Sequence, residues 1–143
     1  MKWVTRQRPK TDRVACPWLI ERFIDSDAEF LFAPPDEVLG VAEREEAIPF
    51  DIPGVELGHH EGKCSFEAFI EKYELTDPAV LELARIVHAA DVREDQHSLP
   101  QGAGLRAIGE GFLHVTEDDH ELLRLQFPVY DALYAWCQEQ VGS

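Results

Sequence analysis

The chain has 143 residues, with 13 Lys+Arg against 28 Asp+Glu, a formal charge of −15 and 45% hydrophobic residues. A chain of this length buries roughly two thirds of the surface its unfolded form exposes, so one core can form without disulfides or a structural metal. The acidic balance argues against the whole surface as a nucleic-acid or anionic-membrane binder, and the recurrence of Leu, Ile, Val and Phe argues against disorder.

The charge is unevenly placed. Residues 1–13 carry Lys2, Arg6, Arg8, Lys10 and Arg13 against Asp12 alone, a local +4, while the other 130 residues carry −19. Cys16, Cys64 and Cys137 are widely spaced and form no CxxC pair, which fits a reduced, cytoplasmic setting. No apolar run reaches the ~18–20 residues of a membrane span, and no export signal follows the basic N-terminus.

In chain order, Lys2–Thr5 reads as a strand and Arg6–Lys10 as a loop. Thr11 or Asp12 can cap a helix to about Asp25, but Pro17 favours a late start near Ala15, which would set Cys16 beside a helix N-terminus. Glu29–Ala33 is a second strand, Pro34–Pro35–Asp36 opens a helix to about Glu46, and Ile48–Phe50 is a third strand. This β-α-β-α-β order predicts a small parallel sheet. After a turn at Asp51–Gly54, Val55–Leu57 is a candidate fourth strand, and Gly58–Cys64 is a loop bounded by glycines.

The remainder is helical: Phe66–Tyr73 capped by Ser65, a helix from Asp77–Pro78 to about Asp91, a polar stretch over Arg93–Gly102, and a helix over Gly104–Leu113. A capping box at Thr116–Asp119 starts a last helix, which Pro128 is expected to break before Val129–Gln140. The expectation is one α+β domain over residues 1–143.

Three constellations can carry chemistry. His59, His60 and Cys64 lie within six residues, and imidazole and thiolate suit zinc or another transition metal; the plainer alternative is a solvated loop with Cys64 buried. His88 and Asp91, three apart on one helix, offer two ligands on one face or a local hydrogen bond. Together these residues form a candidate zinc or iron site. Arg6, Arg8 and Arg13, with Lys10 and Cys16 beside them, form a candidate oxyanion site in which a nearby helix N-terminus would favour the Cys16 thiolate; an ordinary basic surface, a buried Cys16 and an Asp12–Arg13 ion pair are the alternatives. Asp119–His120 reads as a helix first turn, where acids are favoured anyway. Tyr130, Tyr134 and Trp136 suit core packing or a subunit contact, which leaves a homo-oligomer open. GxGxxG, Walker A, GxSxG and HExxH motifs are all absent.

The blocks Lys10–Asp25 (KTDRVACPWLIERFID), Phe50–Leu57, Cys64–Phe66 and Ala84–Asp91, with Tyr130–Tyr134 at the end, resemble the ChrB-type chromate-resistance domain over essentially the whole chain. In that family the domain often follows a separate DNA-binding region in a chromate-responsive regulator. This sequence begins almost directly at the domain, so regulator activity is not carried over and no direct nucleic-acid contact is expected. The resemblance implies a role linked to metal or oxyanion stress, with chromate and a metal ion as partners. It does not establish an enzyme activity. A metal- or thiol-dependent enzyme and a ligand-sensing or dimerisation module are the alternatives.

Overall fold

In the computed structural model, which describes residues 1–142, β1 (Lys2–Arg6) is the middle strand of a three-stranded sheet. It pairs in parallel with β2 (Glu29–Ala33), Lys2 opposite Glu29 and Arg6 opposite Ala33, and with the short β3 (Ile48–Pro49). Side chains alternate between the faces of a strand. Trp3 therefore enters the main core with Phe50, Phe66 and Phe69, while Val4 enters a smaller cluster with Ala33, Val38 and Ile52. The small cluster is closed by α2 (Val38–Glu45), which continues a 3₁₀ turn over Pro35–Glu37.

The other helices are α1 (Asp12–Leu19), α3 (Ser65–Lys72), α4 (Pro78–Asp91), α5 (Pro100–Phe112) and α6 (Asp119–Gly142). No helix is long and apolar enough to cross a membrane among the described residues. The α+β class and the parallel sheet are as the sequence predicts, and α4 begins with Asp77 accepting from the N–H groups of Ala79 and Val80.

Four local expectations fail, besides α5 starting at Pro100 rather than Gly104 and Asp118 rather than Thr116 accepting the first-turn N–H groups of α6. α1 starts at Asp12, so Pro17 lies inside it and Cys16 is not at its N-terminus. Proline removes a donor and crowds the preceding turn; the ladder adjusts by widening, with a π-helical segment over Ile20–Ile24 and Asp25 N–H donating to Ile20 O. Val55–Leu57 forms no strand: Gly54 at φ +83° turns the chain, and Gly58 lies so close to Ile52 O that a Cβ there would come within 2.5 Å. α3 is preceded by Cys64 rather than Ser65, and Glu67 Oε1 accepts the Cys64 N–H at 2.9 Å. Pro128 does not break α6, whose Leu122, Leu123, Tyr130 and Cys137 are buried on both sides of it.

Helix α6 is bound to the N-terminal third by long-range hydrogen bonds. Tyr130 OH donates to Thr11 O at 3.1 Å, Trp18 Nε1 donates to Asp131 at 2.8 Å, and His120 Nε2 lies 2.8 Å from Phe30 O. Arg8 donates to the carbonyls of Leu113 and Thr116 in the α5–α6 connection.

Candidate metal and oxyanion site

Asp12 begins the site. The residue before it, Thr11, holds φ +48°, which is unusual for a β-branched side chain. Its carbonyl receives the N–H groups of Val14 and Ala15 and the Tyr130 hydroxyl, so the strained residue is held from several sides. Asp12 is thereby directed inward and is fully buried. Its carboxylate accepts the Ser65 N–H at 2.7 Å and the Phe66 N–H at 3.1 Å, meeting the positive end of α3.

Asp51 arrives from the turn after β3, also at positive φ, +52°. Its Oδ1 accepts the Ser65 hydroxyl at 2.8 Å, and its Oδ2 lies 3.5 Å from Arg6 and 3.6 Å from Arg13. Asp91 is the last residue of α4, where the helix dipole disfavours a negative charge and a cation is needed nearby.

His59 meets all three acids. Its Nε2 lies 3.0 Å from Asp91 Oδ2, 3.3 Å from Asp51 Oδ1 and 3.6 Å from Asp12 Oδ2. One N–H proton therefore faces three carboxylates from three parts of the chain. A tetrahedral ion with ligands at ~2.0–2.2 Å has ligand–ligand edges of roughly 3.3–3.6 Å, close to these separations. The ligand atoms of Asp12, His59 and Asp91 lie within 4.8 Å of one another. These three can hold a metal, with Asp51 at its side. Hydrogen bonds to Asp12, Asp51 and Asp91 raise the His59 pKa to about 12, while burial and the neighbouring Asp91 push the Asp12 carboxyl up to about 7. The imidazole is half exposed and, with Arg6 and Asp51, lines a cleft of about 440 Å³.

The remaining ligand candidates lie elsewhere. His60 Nε2 turns back to the carbonyls of Val55 and Glu56, at 2.8 and 2.9 Å, and steadies the loop. Cys64 and His88 form a second group with Glu67: His88 Nδ1 lies 2.7 Å from Glu67, and its Nε2 lies 2.6 Å from Asp95. Burial lowers the His88 pKa, but hydrogen bonding to Asp95 and Glu67 outweighs it and leaves the value raised. The single composite cluster read from the sequence is thus divided into two, one holding His59 and Asp91, the other Cys64 and His88.

The basic group divides as well. Arg6 and Arg13 flank Asp51, whereas Arg8 is committed to the α5–α6 connection. The expected Cys16 thiolate is corrected: Cys16 is buried inside α1, donates to Asp12 at 3.4 Å, and has its pKa pushed well up, first by burial and then by Asp12. Burial likewise raises the Cys64 pKa. Asp12, Asp51 and Glu67 were not assigned as ligands from the sequence. An acid at the start of an apolar helix reads first as a cap, which Asp12 is for α3, a different helix from the one it begins.

A family model described as ChrB, C-terminal domain, matches residues 3–137. Protein ChrB of Cupriavidus metallidurans is 33% identical over 139 residues, which cover 93% of this chain and 40% of that protein. The chain therefore spans well under half of that relative's length. No solved structure matches it.

Proposed function

The chain belongs to the ChrB C-terminal-domain family, and from that membership we propose that it is a cytoplasmic metal-binding domain serving in chromate resistance. Asp12, His59 and Asp91 hold a divalent transition metal such as zinc or iron. Arg6 and Arg13, linked to the metal ligands through Asp51, take a small oxyanion such as chromate.

The observation that carries the reading is the convergence of three carboxylates on one His59 nitrogen. A single proton satisfies such an arrangement poorly; a divalent cation offers charge and several coordination directions at once. Three protein ligands beside a cleft also leave room for water or an anion on the metal. In support of the anion, Arg6 Nε is buried without a hydrogen-bond partner, and the Arg6 and His59 side chains line the cleft. Guanidinium groups fit the paired oxygens of a tetrahedral dianion. The thiol-dependent enzyme is not favoured, because Cys16 and Cys64 are both buried and held protonated.

Calorimetric titration of chelator-treated protein with zinc and with iron(II) tests the metal. Binding is expected, with affinity for this site reduced at least tenfold in Asp91→Asn and His59→Ala. Unchanged metal binding in both variants, or none in the unaltered protein, overturns the reading. Chromate should then bind the metal-loaded protein and lose affinity in Arg13→Ala.

A further inference from the structure

The group around His88 has a chemistry distinct from that around His59. We infer that Cys64, Glu67 and His88 form a second metal site, specific for a thiophilic ion such as zinc, with Asp95 as the residue that positions its histidine. The two sites share no ligand, and this one does not depend on the first being a metal centre.

The geometry comes from helix ends. Cys64 occupies the N-cap of α3, Glu67 follows in its first turn, and His88 reaches across from α4. Their Sγ, carboxylate and ring-nitrogen atoms lie within 4.8 Å of one another. A sulfur, an oxygen and an imidazole nitrogen make a mixed set that favours zinc over magnesium or calcium, which prefer oxygen alone.

The surroundings are also those of a ligand set. Metal-bound histidines usually give their other ring N–H to a carboxylate, which fixes the tautomer and the ring plane. His88 has this partner, since Asp95 Oδ2 lies 2.6 Å from Nε2 and leaves Nδ1 directed toward Glu67. Asp95 is itself held in place: Ser98 donates to its carbonyl through both its N–H, at 2.9 Å, and its hydroxyl, at 2.7 Å. A cleft of about 360 Å³ lined by Glu67, Arg85, His88 and Asp95 provides entry from solvent. On binding, the ion replaces the proton between His88 Nδ1 and Glu67 and the proton of the Cys64 thiol, both of which pass to solvent. His88 and Asp91, three residues apart on α4, then serve two neighbouring ions from one helix face.

Cobalt(II) titration of the full chain, pre-treated with chelator, tests this through the sulfur-to-cobalt charge-transfer band in the near ultraviolet. The band is expected in the unaltered protein and in Cys16→Ala and Asp91→Asn, and is expected to vanish in Cys64→Ala. Glu67→Gln keeps an oxygen for the Cys64 N–H and should weaken cobalt binding at this site at least tenfold, with only a small fall in the melting temperature in chelator from the lost Glu67–His88 ion pair. Asp95→Asn should weaken it roughly 10–100-fold while keeping the band. No sulfur band in the unaltered protein, or a band that survives Cys64→Ala, overturns the second site. Loss of the band with retained binding sensitive to Asp91→Asn leaves the His59 site standing alone, so the two assignments fail separately.

Discussion

Asp131 shows how one exposed acid acquires a defined role. It lies on α6 and receives the Trp18 indole N–H at 2.8 Å and the Arg22 Nε and Nη2 groups at 3.2 and 3.1 Å. The Arg22 and Trp18 hydrogen bonds hold its pKa below the ordinary 3.8. A carboxylate with a depressed folded-state pKa stabilises the fold fully above its unfolded value, and this is lost as pH falls through the folded one. The melting temperature of Asp131→Asn should therefore lie below that of the unaltered protein at neutral pH, with the gap closing below pH 3.8. A gap that stays constant between about pH 6 and pH 3 contradicts the assignment. At this same scale the candidate site was only half legible. His59, Cys64, His88 and Asp91 announce themselves by residue type, whereas Asp12 and Asp51 do so only after folding, because an acid near Arg13 or in a turn has an ordinary surface explanation until its burial is known.

Among the elements, those with local signals were legible and those decided by packing were not. Asp77–Pro78 combines a side-chain cap with a pre-set first φ, and α4 starts where that pair predicts. Pro17 and Pro128 are equally strong local signals, yet both lie inside helices, because buried residues on either side outweigh one missing hydrogen bond. The α4–α5 contact offers a direct test of packing. A Cβ on Gly102 would come within 2.5 Å of the Ala89 Cβ, while one on Gly104, two residues later on the same helix, would meet nothing within 4 Å. Gly102→Ala should destabilise the protein by about 1–3 kcal/mol through overpacking. Gly104→Ala should stabilise it by about 0.5–1 kcal/mol through helix propensity. Denaturant unfolding of the two variants reads both; equal effects would mean that α5 does not pack against α4 at this position.

For the whole molecule, the charge of −15 sets a salt dependence. Ion pairs such as Lys2–Glu45, at 3.1 Å, are short and exposed, so each adds little and loses little on screening. The repulsion among the acids acts over longer distances and is screened more, as the Debye length falls from about 30 Å at 0.01 M to about 10 Å at 0.1 M. The melting temperature in chelator should rise with sodium chloride over that range; a fall would show that the exposed pairs outweigh the general repulsion. The site belongs to this scale too, since Asp12, Asp51, His59 and Asp91 are brought together only when the sheet and α1, α3 and α4 are assembled. The bonds from α6 to the N-terminal third extend this dependence into time. They join residues 90 to 119 positions apart. At synthesis rates of about 5–20 residues per second, Thr11 and Phe30 wait roughly 5–24 s for their partners to be made. Trp18, whose indole donates to Asp131 and packs on the Tyr130 and Tyr134 rings, passes that interval without its final cover, and the Thr11 turn that aims Asp12 inward gains its Tyr130 hydroxyl only when α6 arrives.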